Sequence, residues 1–421
     1  MPERVSVEPG RVVSESARDG APALGAVAPL SQLAMSARVL ALQRSAGNAA
    51  VAAILAREEN GNEEEEEEER EGTGLAAAAP TETFAAAAVD FAQRNPDKSF
   101  EDLAKALFDH VKVLLEGIGS HPPELHFADA GALGVFNRAD WKLVVNRHGD
   151  AGMLKDKKLS ELSPAQLGDA ADTIYHESRH SEQFFRIARM LFGRDVGKYA
   201  VMARTGIPFA VIEAAARNPL KGGDEATQRL IREAESWHDV TLGRFKGYME
   251  GVKDLAEPTL NALKLAISMD RLATDRHRYA RFIKTYHYEY LRLQPAIEKV
   301  EQVLFSEDDI PDSINERGMD LMTKYELLQQ CVEGVMKAIE TKPEVTQSTA
   351  QKVAERTQAL RESRMKAYKA FAHEEDAYSV GGAVSSAVVR RLTPEVDDTA
   401  AAAGAATAVT SEKPEAAETL T

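Results

Sequence analysis

The sequence predicts an α+β protein that is mostly α: a small sheet, then a helix carrying His-Glu-x-x-His, then a large helical region, with a disordered tail at either end. Three observations predict it. Short apolar runs, Leu125-His126-Phe127, Gly134-Val135-Phe136-Asn137 and Trp141-Lys142-Leu143-Val144-Val145-Asn146, include one pair joined by an Asn-Arg-Ala-Asp turn, the pattern of a hairpin. Downstream, Ile174, Phe184, Ile187 and Leu191 recur at helical spacing in a stretch without Pro or Gly. Beyond Gly193 the chain reads as helix to about residue 392, punctuated by prolines and a Gly-Gly pair.

With 421 residues the chain suffices for two domains, or one large one with tails. Residues 1–29 are rich in Gly, Ala, Pro and Ser, a composition too poor in apolar surface to fold. In residues 30–57, Leu40, Val51, Ile54 and Leu55 mark two short amphipathic segments hinged at Gly47-Asn48. Helices this short are marginal alone and suit docking to a partner. Leu42-Gln43-Arg44-Ser45-Ala46-Gly47-Asn48-Ala49-Ala50-Val51 resembles the N-terminal Leu-Gln-Arg-x-x-Gly-Asn-x-Ala-Val segment of proteins associated with extracellular contractile injection systems. That resemblance implies a loading or targeting segment. It further implies a toxin effector made in the bacterial cytoplasm, exported as cargo, with the particle's tube or baseplate as partner.

Residues 58–82 are acidic and then Ala-rich. Glu58, Glu59, Glu63 to Glu69 and Glu71 place ten carboxylates within fourteen residues, a self-repelling linker. The folded domain is expected over 83–392, with helices near 84–91 and 100–115 ahead of the sheet. Ser163-Pro164 forms a helix start, Ser as N-cap and Pro in the first turn, and Gly193 a stop. Helices then follow near 199–216, 224–250, 258–305, 316–340 and 344–392. The breaks fall at Pro219, Gly222-Gly223, Pro258, Pro311 and Pro343, and Pro295 kinks a long helix. Residues 393–421, rich in Ala, Thr and Glu, form a disordered tail.

The bulk composition excludes several classes. The net charge is −16 and no basic stripe is present, which argues against nucleic acid. The single Cys331 excludes an internal disulfide and a Cys-based zinc site. Met1-Pro2-Glu3-Arg4-Val5 lacks the basic and apolar regions of a secretory signal. No apolar run reaches the roughly 20 residues that span a bilayer, so no stable membrane insertion is expected.

The chemistry concentrates in His176-Glu177-Ser178-Arg179-His180. On a helix, positions i and i+4 share a face, so His176 and His180 can offer two imidazoles to one Zn²⁺. Glu177 sits one residue round, placed to take a proton from a nearby water. The plain alternative is a pair of satisfied surface histidines. A catalytic zinc takes a third protein ligand, and no Gly-x-x-His extension follows His180. A downstream carboxylate remains, from Arg232-Glu233-Ala234-Glu235-Ser236-Trp237-His238-Asp239 or from Ala372-His373-Glu374-Glu375-Asp376-Ala377-Tyr378-Ser379-Val380-Gly381.

A small sheet ahead of a His-Glu-x-x-His helix resembles the N-terminal half of the zincin metallopeptidases, in which an edge strand pairs with the extended substrate. The second stretch is similar to the Glu-x-Asp-Ala-Tyr/Trp-x-x-Gly segment that closes the site in injection-system and toxin-associated peptidases. That match implies Glu374 as the ligand, with Glu375 and the 233–239 helix as alternatives, and Asp376 as an acceptor orienting a ligating His. Ala377, Gly381 and Gly382 would let this helix approach the active-site helix closely. Tyr378, one turn from Glu374, is the candidate oxyanion donor, with His373 and His238 as alternatives. Arg179 and Glu182 are read as surface or supporting residues, and Gln183 as a holder of substrate or of a ligand His.

The expectation is a gluzincin-like zinc peptidase acting on a protein or peptide, with a helical insertion over 199–370 shaping its cleft. The alternatives are a non-catalytic plug, carrier or structural component of the injection particle with a vestigial metal site, and a helical binding module.

Overall fold

A computed structural model describes residues 74–393, apart from 130–132, 149–153, 155, 272–275, 308 and 342–346. The chain divides into two units, Met1–Arg70 and Glu71–Thr421, and all described residues belong to the second. The segment expected to dock at 30–57, the tails expected to be disordered and most of the acidic linker lie outside the described residues.

The described fold begins earlier than the boundary expected at residue 83. A short 3-10 turn at Gly74–Ala76 leads into α1 (Ala78–Arg94). The alanines that read as linker are strong helix formers, and Pro80 falls in the first turn, where its missing N–H costs nothing. Leu75 is buried beside them. Helix α2 (Phe100–Gly117) opens with a capping box: Ser99 Oγ accepts the Asp102 N–H, and Asp102 accepts the Ser99 N–H.

Three strands follow: β1 (Glu124–Ala128), β2 (Gly134–Asn137) and β3 (Lys142–Asn146). Their spatial order is β1-β3-β2. β2 and β3 form the expected antiparallel hairpin, Phe136 opposite Leu143, while β1 runs parallel to β3 with Phe127 opposite Val145. Asn137 closes the hairpin, its side-chain oxygen accepting the N–H groups of Ala139 and Asp140. Trp141, expected in β3, instead takes a left-handed φ of 52° in the turn and buries its ring, the indole N–H donating to the His121 carbonyl.

Helix α3 (Pro164–Gly193) starts at the expected Ser163 cap, with Ser163 Oγ accepting from the Gln166 N–H and Gln166 Oε1 accepting from the Ser163 N–H. It joins two apolar cores. Leu167, Ala170, Ala171, Ile174 and Tyr175 pack with α1, α2 and the sheet. Phe185, Ile187, Ala188, Met190 and Leu191 pack with the helices that follow. Between these halves lies a buried polar segment.

The chain continues through α4 (Lys198–Thr205), α5 (Phe209–Arg217), α6 (Glu225–Thr241), α7 (Lys246–Asp254), α8 (Ala256–Arg271) and α9 (Arg276–Leu291). It ends with α10 (Gln294–Ser306), α11 (Asp312–Thr341), α12 (Gln347–Lys369) and α13 (Ala372–Leu392). Several expected long helices are divided. The one at 199–216 stops at Gly206, whose φ of +67° suits a left-handed cap, and Pro208 caps the next. The one at 224–250 breaks after Thr241, and that at 344–392 breaks at Phe371, which is extended and buried. Pro258 lies in the first turn of α8, just past the break expected there, whereas Pro295 lies in the first turn of α10 and starts a new helix instead of kinking a long one. None of the described helices is long and apolar enough to cross a membrane.

Helix α13 returns along α3. A Cβ on Gly381 would meet Asp172 and His176 Cβ, so the absence of a side chain permits the crossing. Ala377 is fully buried there, whereas a Cβ on Gly382 would face open space and Gly382 plays no part in the approach.

Candidate metal centre

The middle of α3 inverts the usual logic of a core helix. His176, Ser178, Arg179, His180, Ser181, Glu182, Gln183 and Arg186 are all buried. Helical spacing stacks His176 on His180, their Nε2 atoms 3.2 Å apart. Glu374, in the first turn of α13, reaches the same point: its Oε2 lies 3.5 Å from His180 Nε2 and 3.7 Å from His176 Nε2. Donors bonded at 2.0–2.1 Å around a tetrahedral metal lie about 3.3–3.4 Å apart, so this triangle has the right scale. Glu374 is only 2 % exposed and its Oε2 has no hydrogen-bond partner. An unpaired buried carboxylate oxygen aimed at two imidazole nitrogens is expensive unless a cation joins them. The three residues could hold a metal ion, and they form such a group among the described residues.

Surrounding side chains fix these donors. His180 Nδ1 donates to Gln183 Oε1 at 2.9 Å, which leaves its Nε2 lone pair facing the other two donors. Gln183 Nε2 donates in turn to Asp376 Oδ2 at 2.6 Å and to the His373 carbonyl at 2.8 Å. Asp376 therefore orients His180 through Gln183 and not by direct contact. Glu374 Oε1 accepts from the Tyr368 hydroxyl. Tyr368 was not singled out in the sequence: nothing in its local pattern sets it apart from a packing tyrosine on α12. Tyr378 packs edge-on against His176, ring centroids 4.6 Å apart.

Arg179 and Glu182 are not surface residues. Arg179 lies 1 % exposed and Glu182 is fully buried. Arg179 bonds both Glu182 Oε2 (2.6 Å) and Asp376 (2.8 and 3.1 Å), and Arg186 bonds the other Glu182 oxygen. Glu182 Oε2 also accepts the Leu75 N–H. Burial pushes the Glu182 carboxyl up, but the two arginines hold it below its ordinary range. This ionised network braces α3 against α13 at the level of the donor triad.

Burial opposes charge on Glu374, and the imidazoles of His176, His180 and His373 more than offset it. Burial likewise works against a charged His180, yet the Glu374 carboxylate raises it to about 9. His373 goes the other way, pushed by burial down to about 4. The ionised Glu374 carboxylate thus favours a cation, a proton or a metal ion, beside it.

The triad opens on a cleft of about 760 Å³ lined by β2, α3, α7, Tyr368 and the start of α13. Gly134 lets β2 lie against α3, since a Cβ there would sit 2.5 Å from Thr173 Cγ2 and 3.1 Å from Glu177 Cγ. Glu177 lines the cleft and its Oε2 accepts the Phe136 N–H at 2.7 Å. That bond shows the sense of the strand: Phe136 and, by two-residue alternation, Gly134 turn their backbone groups away from β3.

The structure thus brings together His176, His180, Glu374, Glu177 and Tyr378. The competing carboxylates go elsewhere. Glu233 pairs with Arg186 and Arg229, Glu235 with Arg194, and Glu375 is exposed. His238 lies beside Asp239, outside the cleft lining, while His373 is in it. Set against models of protein families, against curated proteins and against solved structures, the chain matches none, so its function is argued from this geometry and from the sequence.

Proposed function

We propose that the chain is a zinc-dependent peptidase delivered as a toxin cargo of a contractile injection system. The observation that carries the enzymatic part is the convergence of His176, His180 and Glu374 beside Glu177 on the wall of an open cleft. Two imidazoles and a carboxylate suit zinc among the common divalent ions. When bound, zinc would supply Lewis acidity, lowering the pKa of a water and polarising a carbonyl.

The chain's own groups do the rest. Glu177, half-buried and facing the cleft, takes a proton from water as general base and returns it to the leaving nitrogen. The edge of β2 away from β3 carries the Gly134 backbone groups and the Phe136 carbonyl, which can pair with an extended peptide, while the Phe136 N–H is held by Glu177. Tyr378 lines the cleft with its ring against His176 and is the candidate oxyanion donor. Tyr368 holds Glu374 in place from the cleft side. The cargo part rests on the Leu42–Val51 resemblance alone.

The test is metal analysis of the purified chain together with hydrolysis of an unfolded protein such as casein. One zinc per chain is expected, with Glu177→Gln retaining metal and fold but losing roughly 10²–10⁴ in turnover. No bound metal in folded protein would end the enzymatic reading. Bound metal without turnover by the unmodified chain would favour a carrier or plug with a vestigial site.

A further inference from the structure

The cleft carries two cations that the proposed chemistry does not use. Arg138 projects from the β2–β3 turn, its guanidinium 4.9 Å over the Phe184 ring. Lys253 comes from the last turn of α7 and lines the same cleft, its ammonium 5.6 Å over the Tyr368 ring. The other charges lining the cleft are engaged: Lys246 pairs with Glu250, Glu177 accepts from Phe136, and Glu374 faces the imidazoles. Neither Arg138 nor Lys253 forms an ion pair among the described residues.

Their surroundings are unusual for free cations. Each sits on an aromatic face, and Arg138 is half-buried. Loss of solvent lowers the Arg138 guanidinium below its ordinary range. Lys253 is exposed to the open cleft, yet the walls around it remove enough water to lower its ammonium, against the pull of Glu374, and Arg138 lowers it further. Two like charges held within mutual range, in a chain of net charge −16, repel one another. A carboxylate between them would relieve the repulsion and replace lost solvation with charge-assisted hydrogen bonds.

From Arg138 and Lys253 lining one cleft, each over an aromatic ring and neither in a salt bridge among the described residues, we infer that the site selects peptides by a carboxylate bound between these two side chains. The inference rests on the peptidase reading and names its substrate class: peptides with Asp or Glu near the scissile bond, or with a free C-terminus there. Tyr368 links the two features, since its hydroxyl holds Glu374 while its ring carries Lys253.

The experiment uses the full chain carrying Glu177→Gln, loaded with zinc, and a randomised synthetic octapeptide library made in free-acid and C-terminally amidated forms. Retained peptides are sequenced by mass spectrometry. Acidic residues should be enriched at one position on the order of tenfold, an enrichment lost when Arg138→Gln and Lys253→Gln are added. Retention of free-acid peptides alone, without internal preference, would assign the carboxylate to the C-terminus. Retention without any carboxylate preference, or a preference that survives the double substitution, overturns the inference and leaves the peptidase reading standing. No retention, with no hydrolysis of the library by the unmodified chain, removes the peptidase reading and this inference with it.

Discussion

Gly381 and Asp172 meet where α13 crosses α3: a Cβ on Gly381 would lie 1.8 Å from Asp172 Oδ1 and 3.3 Å from His176 Cβ. The contact sets the separation of the two helices that supply the donor triad. Gly381→Ala should overpack this crossing, cost about 1–3 kcal/mol and displace Glu374 from the histidines, weakening metal binding. Asp172→Ala in the same chain should restore much of the loss, since the nearer obstruction is gone. Urea midpoints and zinc affinities of the single and double variants check this. A single variant as stable and as tight as the parent would show that the crossing is not close-packed.

The same aspartate gives the metal-free protein a pH signature. Its Oδ1 is buried without a hydrogen-bond partner, and burial raises its carboxyl from 3.8 to about 6. Folding therefore favours the protonated form. The ionised group subtracts nothing below about pH 3.8, progressively more between 3.8 and 6, and its full penalty above 6. Asp172→Asn removes that penalty. After chelation, the variant should be more stable than the parent by roughly 1–3 kcal/mol at pH 8, and the gap should close as pH falls to 4. A gap independent of pH would mean that Asp172 is not desolvated.

Removal of individual donors separates the triad from its competitors. His176→Ala, His180→Ala and Glu374→Ala should each lower metal affinity by orders of magnitude. Glu235→Ala should do little, because Glu235 pairs with the exposed Arg194 and lies outside the donor triad. Equilibrium dialysis with elemental analysis gives the order. Stronger dependence on Glu235 than on Glu374 would move the site to α6.

Much of this arrangement is legible in the sequence, because it rests on local rules. The His176–His180 stack follows from helical spacing, the start of α3 from Ser163-Pro164, and the hairpin from the Asn137 turn. The shortened helices were not legible: Phe371, at the break, is extended and buried with its ring edge-on to Tyr248 of α7, a tertiary contact with no local mark. The buried Arg179–Glu182–Asp376 network was hidden for the same reason. Arg and Glu three residues apart read equally as a surface pair or as supports of the site, and the arrival of Asp376 and Leu75 encloses them. Tyr368 reaches Glu374 across the α12–α13 break, a contact that residue spacing does not announce.

Leu75 turns the domain boundary into a measurable quantity. Its side chain is buried, its N–H donates to Glu182 Oε2 at 3.0 Å, and its carbonyl accepts from the Tyr175 hydroxyl at 2.8 Å. Glu182 in turn anchors Arg179, which grips Asp376 on α13, which holds Gln183 against His180. A chain truncated before residue 73 keeps every one of these contacts, so its Tm and zinc affinity should match the full chain. If residues 30–57 carry the address, the same truncation abolishes association with the injection particle. Truncation to residue 83, the boundary read from composition, removes Leu75 and strips a donor from a fully buried carboxylate. Lost burial accounts for roughly 2–3 kcal/mol, and the weakened Glu182 for about 1–3 kcal/mol more. The second truncation should therefore melt well below the first and bind zinc less tightly, as calorimetry and metal titration would record. Equal melting of the two would mean that the residues from 74 to 82 are spacer after all, and that the α3 network closes without them.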